Sequence, residues 1–177
     1  LQNKLVQNNV TVIADENGMQ RDGWYSKARD AEDLEDTQEI ARKAAQRTVA
    51  RLGARKLTTR QAPVLFEASV AGSLFSAFIG AISGGALYRK ASFMLDKINQ
   101  QIFAEHIHIH EDPFLPKAMG SAAFDSDGMA TRAHDIVKDG ILQSYVLSAY
   151  SARKLNLTPT GNAGGVHNLF IEPGNQN

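Results

Sequence analysis

Residues 9–29, "NVTVIADENGMQRDGWYSKAR", alternate apolar and polar side chains on both sides of a turn, "ENGM", at residues 16–19. Alternation of period two sends successive side chains to opposite faces of a strand, and Asn-Gly tolerates the positive φ angles of a tight hairpin. The stretch therefore predicts two antiparallel strands. An acidic break, "DAEDLED", follows at residues 30–36. Beyond it Ile40, Ala41, Ala44, Ala45, Val49 and Leu52 recur at helical spacing, and Gly53 supplies a stop. Residues 37–52 are expected to form an amphipathic helix. Asp36 and Glu39 have the spacing of a capping box, and Glu39 and Lys43 that of an i,i+4 ion pair.

The rest of the chain mixes the same two periodicities. Pro63 opens "PVLFEA", a short apolar run expected to be a buried strand. Residues 68–88 carry no charge and hold a GxxxG at Gly80 and Gly84. Their length would span a bilayer, but only seven of the 21 are Leu, Ile, Phe or Val, against four glycines and four serines. Those seven contribute only about −2 to −4 kcal/mol toward insertion. A buried, closely packed helix is the expectation. Helical rhythm continues in "YRKASFMLDKINQQIF", through Phe93, Met94 and Ile98. "HIHIH" (residues 106–110) reads as a strand, "FDSDGM" (124–129) as a turn and "DIVKDGILQSYVL" (135–147) as a second hairpin. A short helix around "YSARKL", the glycine-rich "TGNAGG" and a last strand complete the pattern. The expected class is α+β, a mixed or antiparallel sheet with packed helices, with a possible boundary near residues 55–62.

Composition narrows the functional classes. The 177 residues are 43 % hydrophobic and 21 % charged, and 19 Lys and Arg balance 19 Asp and Glu. That balance gives no electrostatic reason to expect nucleic acid or an anionic membrane as partner. With no cysteine, disulfides, thiol nucleophiles and cysteine–zinc sites are excluded within these residues. The first residues lack the basic-then-apolar pattern of a signal peptide. Starting at Leu1 rather than Met, the sequence reads as a piece of a longer protein.

His106 and His108, or His108 and His110, stand roughly 6.6–6.8 Å apart on an extended strand, close enough for two to converge on one ion. The third is about 13 Å from the first, so a further ligand must come from elsewhere, with His167, Glu111 and Asp112 as possible donors. A strand with a buried isoleucine face and a wet histidine face is the competing reading. Asp125 and Asp127 precede Gly128, but calcium-loop alignment puts Ala123 and His134 at ligand positions, which leaves a turn. Ser83 in "AISGG" has a variant of nucleophile-elbow spacing but sits in a run read as helical. "TGNAGG" lacks the Lys-Ser/Thr of a P-loop. Turn chemistry is its expected role, although Asn162, Gly164 and Gly165 could border a groove for extended peptide. Tyr88, Arg89 and Lys90 form a small basic tip suited to surface or interface contact. From the residues alone no convincing catalytic set emerges.

Two long stretches, "PVLFEASVAGSLFSAFIGAISGGALYRKASFMLD" (residues 63–96) and "DGILQSYVLSAYSARKLNLTPTGNAGGVHN" (139–168), resemble the TldD/PmbA family, cytoplasmic proteins also called modulators of DNA gyrase. The similarity is to the PmbA branch, also called TldE, and runs from "MQRDGWYSKARDAEDL" (residues 19–34) to the end. Family chains are longer, so the resemblance implies an internal fragment, spanning the end of an N-terminal domain and the start of a C-terminal one. It also implies a heteromeric zinc metalloprotease acting on peptides, microcin precursors and an unfolded antitoxin among them. The TldD subunit holds zinc through a His-Glu-x-x-x-His motif after a strand. In that alignment Glu67 stands for the first histidine, Ala68 for the glutamate and Gly72 for the second histidine. None of the three can do the required chemistry, so the resemblance implies a non-catalytic subunit whose TldD-like partner carries the zinc. The alternative is a self-sufficient metallohydrolase built on His106, His108 or His110.

Overall fold

The computed structural model describes residues 5–173 and divides into two compact units, one ending at Val64 and the other starting at Leu65. The first is the predicted hairpin with a helix upon it. Strands β1 (Val6–Asp15) and β2 (Met19–Ala28) pair antiparallel in unbroken register from Val6 opposite Ala28 to Asp15 opposite Met19. Asn17 and Gly18, both at positive φ, make the turn. Gly23 is required by close approach, since a Cβ there would sit 2.8 Å from the Val10 carbonyl oxygen.

A short 3-10 turn at Ala31–Asp33 leads to helix α1 (Thr37–Val49). Asp36 is its N-cap and accepts from the backbone N–H groups of Gln38 and Glu39. Ile40, Ala44 and Thr48 form its buried stripe. The expected Glu39–Lys43 pair does not form. Glu39 takes Arg42, and Lys43 instead meets Glu35, which also accepts from Trp24 Nε1 at 3.0 Å. Lys43 and Arg47 lie over the Trp24 ring, 5.3 and 5.4 Å from its centroid, and this seating draws Lys43 off its own helix face.

In the second unit the sheet order is β5–β4–β3–β6, all antiparallel: β3 is Ile109–Glu111, β4 His134–Lys138, β5 Ile141–Leu142 and β6 Leu169–Ile171. The second hairpin forms as expected, with Asp139 and Gly140 both at positive φ. Helix α4 (Ala149–Leu155) also forms, opened by a reciprocal Ser148–Ser151 capping box and closed by Asn156 in the left-handed region. The core joins Ile82, Leu87, Met94, Ile109, Ile136, Val137, Leu142, Tyr145, Val146, Leu147 and Ala152. The α+β expectation holds, with antiparallel sheets and packed helices.

Four local expectations are corrected. Residues 63–67 are exposed coil rather than a buried strand, with Leu65 97 % exposed, and no strand of the described residues pairs with them. The uncharged run is not one buried helix. It divides into α2 (Ala68–Ala81), which has no fully buried residue, and α3 (Gly84–Tyr88). The break has a tertiary cause: Val146 N–H donates to the Ile82 carbonyl and Gly84 N–H to the Val146 carbonyl, pulling Ser83 into a parallel bridge with Val146. Residues 89–103 are turns instead of helix. Lys90, Asp96 and Asn99 have positive φ, and the backbone bonds of this segment go to the second hairpin, from Asn99 to Leu142 and from Ile102 and Phe103 to Gly140. Lastly, "HIHIH" enters the sheet only at Ile109, where the ladder with β4 is irregular. Among the described residues no helix is long and apolar enough to cross a membrane.

Candidate functional site

The three histidines of the opening candidate are pulled apart. His110 Nδ1 lies 2.8 Å from Asp135 Oδ1 and His108 Nε2 3.3 Å from Asp139 Oδ1, while His106 is exposed ahead of the strand. Ile109 is buried beneath them, 1 % exposed. Among the described residues, no group of three or more His, Cys, Asp or Glu side chains is placed to hold a metal ion.

What the fold does assemble is a buried polar hub that sequence spacing did not reveal. Glu111 on β3 is 1 % exposed. Its two carboxylate oxygens accept from Asn162 Nδ2 at 2.9 and 3.0 Å, and Oε1 also accepts from the His167 backbone N–H and from His167 Nδ1 at 2.8 Å. His134 Nδ1 lies 3.7 Å from the other oxygen and 3.1 Å from the Arg132 carbonyl. A carbonyl only accepts, so Nδ1 of His134 carries the proton, and its Nε2 is buried without a partner among the described residues. Glu111 and His167, each weighed as a metal donor, thus meet as a hydrogen-bonded pair. A carboxylate so enclosed cannot reach a peptide carbonyl, and the hub's work is to tie β3 and β4 to the glycine-rich loop.

Beside it, Asp125 holds the same loop. Its Oδ1 accepts from Asp127 and Met129 N–H groups and its Oδ2 from Ala163 N–H, all at 2.9 Å. Burial alone would raise the Asp125 pKa. The three N–H groups and neighbouring His167 outweigh it and hold the carboxyl below its ordinary value. "FDSDG" is therefore a turn, with Gly128 at φ +77°. Gly161, Gly164 and Gly165 also have positive φ, and Asn162 is 4 % exposed with its amide committed to Glu111. Ser83 donates from Oγ to the Gly80 carbonyl at 2.8 Å.

The positions that the family resemblance aligns with the metal motif lie where coil turns into α2. Glu67 is the N-cap residue and accepts from Ser69 Oγ, Ala68 opens the helix, and Gly72 faces open space with nothing within 4 Å of a built Cβ. Alanine has no base and glycine no ligand, so this donor set does not fit zinc.

Residues 59–177 match the PmbA/TldA metallopeptidase C-terminal domain, and residues 4–52 match the central domain of the same family. The chain belongs to the PmbA/TldD metallopeptidase family. It is 48 % identical over 161 residues to metalloprotease PmbA of Escherichia coli O157:H7, which covers 90 % of this chain and 36 % of that protein. The TldD homologue of Haemophilus influenzae is 25 % identical over 172 residues, covering 89 % of this chain and 35 % of the relative. Among solved structures, a Bacteroides thetaiotaomicron protein named for modulation of DNA gyrase superposes with a TM-score of 0.85 at 29 % identity, over 96 % of this chain and 38 % of that one. TldE from Thermococcus kodakarensis shares the fold, with a TM-score of 0.71 at 22 % identity over 97 % of this chain and 41 % of that one. The chain spans a little over a third of the length of these relatives.

Proposed function

We propose that this PmbA/TldD-family chain is part of a non-catalytic, TldE-like subunit that pairs with a zinc-bearing TldD-like subunit in a cytoplasmic peptidase. The observation that supports the reading is the start of α2, where Glu67, Ala68 and Gly72, which the family resemblance aligns with two ligands and a base, offer no metal-binding set. Zinc-activated water needs a set of nitrogen or oxygen donors and a nearby base. On this reading both come from the partner, and this chain contributes binding surface for unfolded or extended peptides.

Co-expression of the full-length protein with a TldD-type subunit tests it. The expected result is a stable complex that cleaves unfolded peptides, with zinc bound in the TldD-type subunit and none in the isolated PmbA-like protein. Absence of a complex, or cleavage by the PmbA-like protein alone, overturns the proposal.

A further inference from the structure

Helices α3 and α4 meet at Gly84, where a Cβ would collide with the Ser151 side chain. One turn beyond that contact, Tyr88 and Tyr150 stack edge to face, 5.8 Å between centroids at 82°. Cations surround the pair. Arg89 lies 5.4 Å from the Tyr88 ring, and Arg153 and Lys154 lie 5.9 and 5.6 Å from the Tyr150 ring. Lys90 follows at positive φ, exposed like the other three. None of these four cations has an ion-pair partner among the described residues. Asp127 accepts from Ala149 N–H, the first residue of α4, at 2.8 Å.

The fold of α4 explains part of this placement, because a helix C-terminus favours cations. It does not explain Arg89 and Lys90 on a different helix, nor Tyr150 left 49 % exposed beside them. The stacked tyrosines and the two arginines are residue types enriched at interfaces, and the two lysines suit the charged rim of one. The tight α3–α4 contact and the ring contacts keep Arg89, Arg153 and Lys154 beside the tyrosines before anything binds, which lowers the entropic cost of association. In a chain with no net charge, a local group of four unpaired cations selects an anionic counterpart.

We propose that Tyr88, Arg89, Lys90, Tyr150, Arg153 and Lys154 form a docking surface for an acidic segment of a partner subunit. Nucleic acid is the poorer occupant. Four cations neutralise fewer phosphates than the six to ten contacts of an ordinary DNA-binding surface. That the acidic segment belongs to a TldD-like subunit rests on the pairing proposed above. The anionic chemistry of the occupant does not.

The experiment compares full-length wild type with the Arg89→Glu/Arg153→Glu/Lys154→Glu variant and with Lys90→Glu/Lys154→Glu, all at exposed positions. Dissociation constants for the TldD-type subunit are measured at low and high salt, and a labelled octaglutamate peptide serves as an independent anionic probe. The proposal expects the triple variant to bind the subunit about tenfold or more weakly at low salt, with a flattened salt dependence. It also expects the octaglutamate anisotropy signal to disappear. Unchanged affinity of a well-formed complex overturns the docking surface and leaves the pairing intact. Failure of the wild type to form any complex overturns the pairing and with it this choice of occupant. Binding of a single-stranded oligonucleotide that the triple variant abolishes, without peptide binding, assigns the surface to nucleic acid and overturns the proposal.

Discussion

Glu111 Oε1 lies 2.8 Å from His167 Nδ1, joining β3 to the end of the glycine-rich loop across 56 residues of sequence. Both side chains are almost fully buried, so the pair is a structural tie and not an exposed acid–base couple. Removing its acceptor leaves several donors stranded. Glu111→Ala is expected to destabilise the chain by about 3–5 kcal/mol, as loss of one member of a buried, hydrogen-bonded ionisable pair does. Glu111→Gln keeps the shape but points an amide N–H₂ at Asn162 Nδ2 or His167, and about 1–3 kcal/mol is expected. Urea titration of both variants checks this. A Gln variant as stable as wild type would mean the carboxylate is not the common acceptor.

Asp125 gives the same loop a pH dependence with a definite sign. Its folded carboxyl is held below the ordinary aspartate value, so the unfolded chain binds the proton more tightly. The stabilisation is complete above the ordinary aspartate range and is lost as pH falls below about 4. Asp125→Asn should be less stable than wild type at pH 7 and should show a smaller loss of stability between pH 5 and the acid limit. Thermal unfolding of the two proteins across that range makes the comparison. Parallel curves would remove Asp125 from the acid response.

The elements that were legible in the sequence are those whose cause is local. Asn17-Gly18 and Asp139-Gly140 specify their hairpins by their own φ angles, and Asp36 and Ser148 cap the helices they precede. The errors fall where a distant residue decides. The Ile82–Gly84 break is imposed by Val146, and residues 89–103 leave helical geometry to bond Gly140 and Leu142. Periodicity cannot register either event, because the competing hydrogen bonds come from more than 35 residues away. The hub was hidden for the same reason. Glu111, His134, Asn162 and His167 follow no spacing rule, and Glu111 and His167 drew attention only as possible metal ligands. What the sequence could have offered was Glu111 itself, an acidic residue continuing the alternation of an apolar strand on its buried side.

Packing of α3 on α4 predicts a coupled cost. Gly84→Ala puts a methyl group into the Ser151 side chain and is expected to cost about 1–3 kcal/mol. In a Ser151→Gly background the nearer obstacle is gone and only Leu147 Cδ2, 3.0 Å from the added Cβ, still crowds it, so the same substitution should cost less, with a coupling of about 1 kcal/mol. Chemical denaturation of the two single variants and the double variant supplies the cycle. Additive effects would place the strain elsewhere.

Gly72 tests the proposed reading of this chain as part of a non-catalytic subunit. It sits inside α2, with nothing within 4 Å of a Cβ built upon it. Glycine in an exposed helix interior is destabilising relative to alanine by about 1 kcal/mol, so Gly72→Ala should stabilise the chain by roughly that amount. If α2 took part in peptide hydrolysis, a change at the position aligned with a zinc ligand would alter turnover. Because Glu67, Ala68 and Gly72 supply no ligand set or base, Gly72→Ala and Glu67→Ala should leave kcat/KM of the full complex within about twofold of wild type. The matching histidine substitutions in the TldD-type subunit should abolish activity. Steady-state peptidase assays on the reconstituted complex read both results together. A large loss of kcat on changing Glu67 or Gly72, with zinc content of the complex unchanged, would put this chain in the active site and end its description as a non-catalytic subunit.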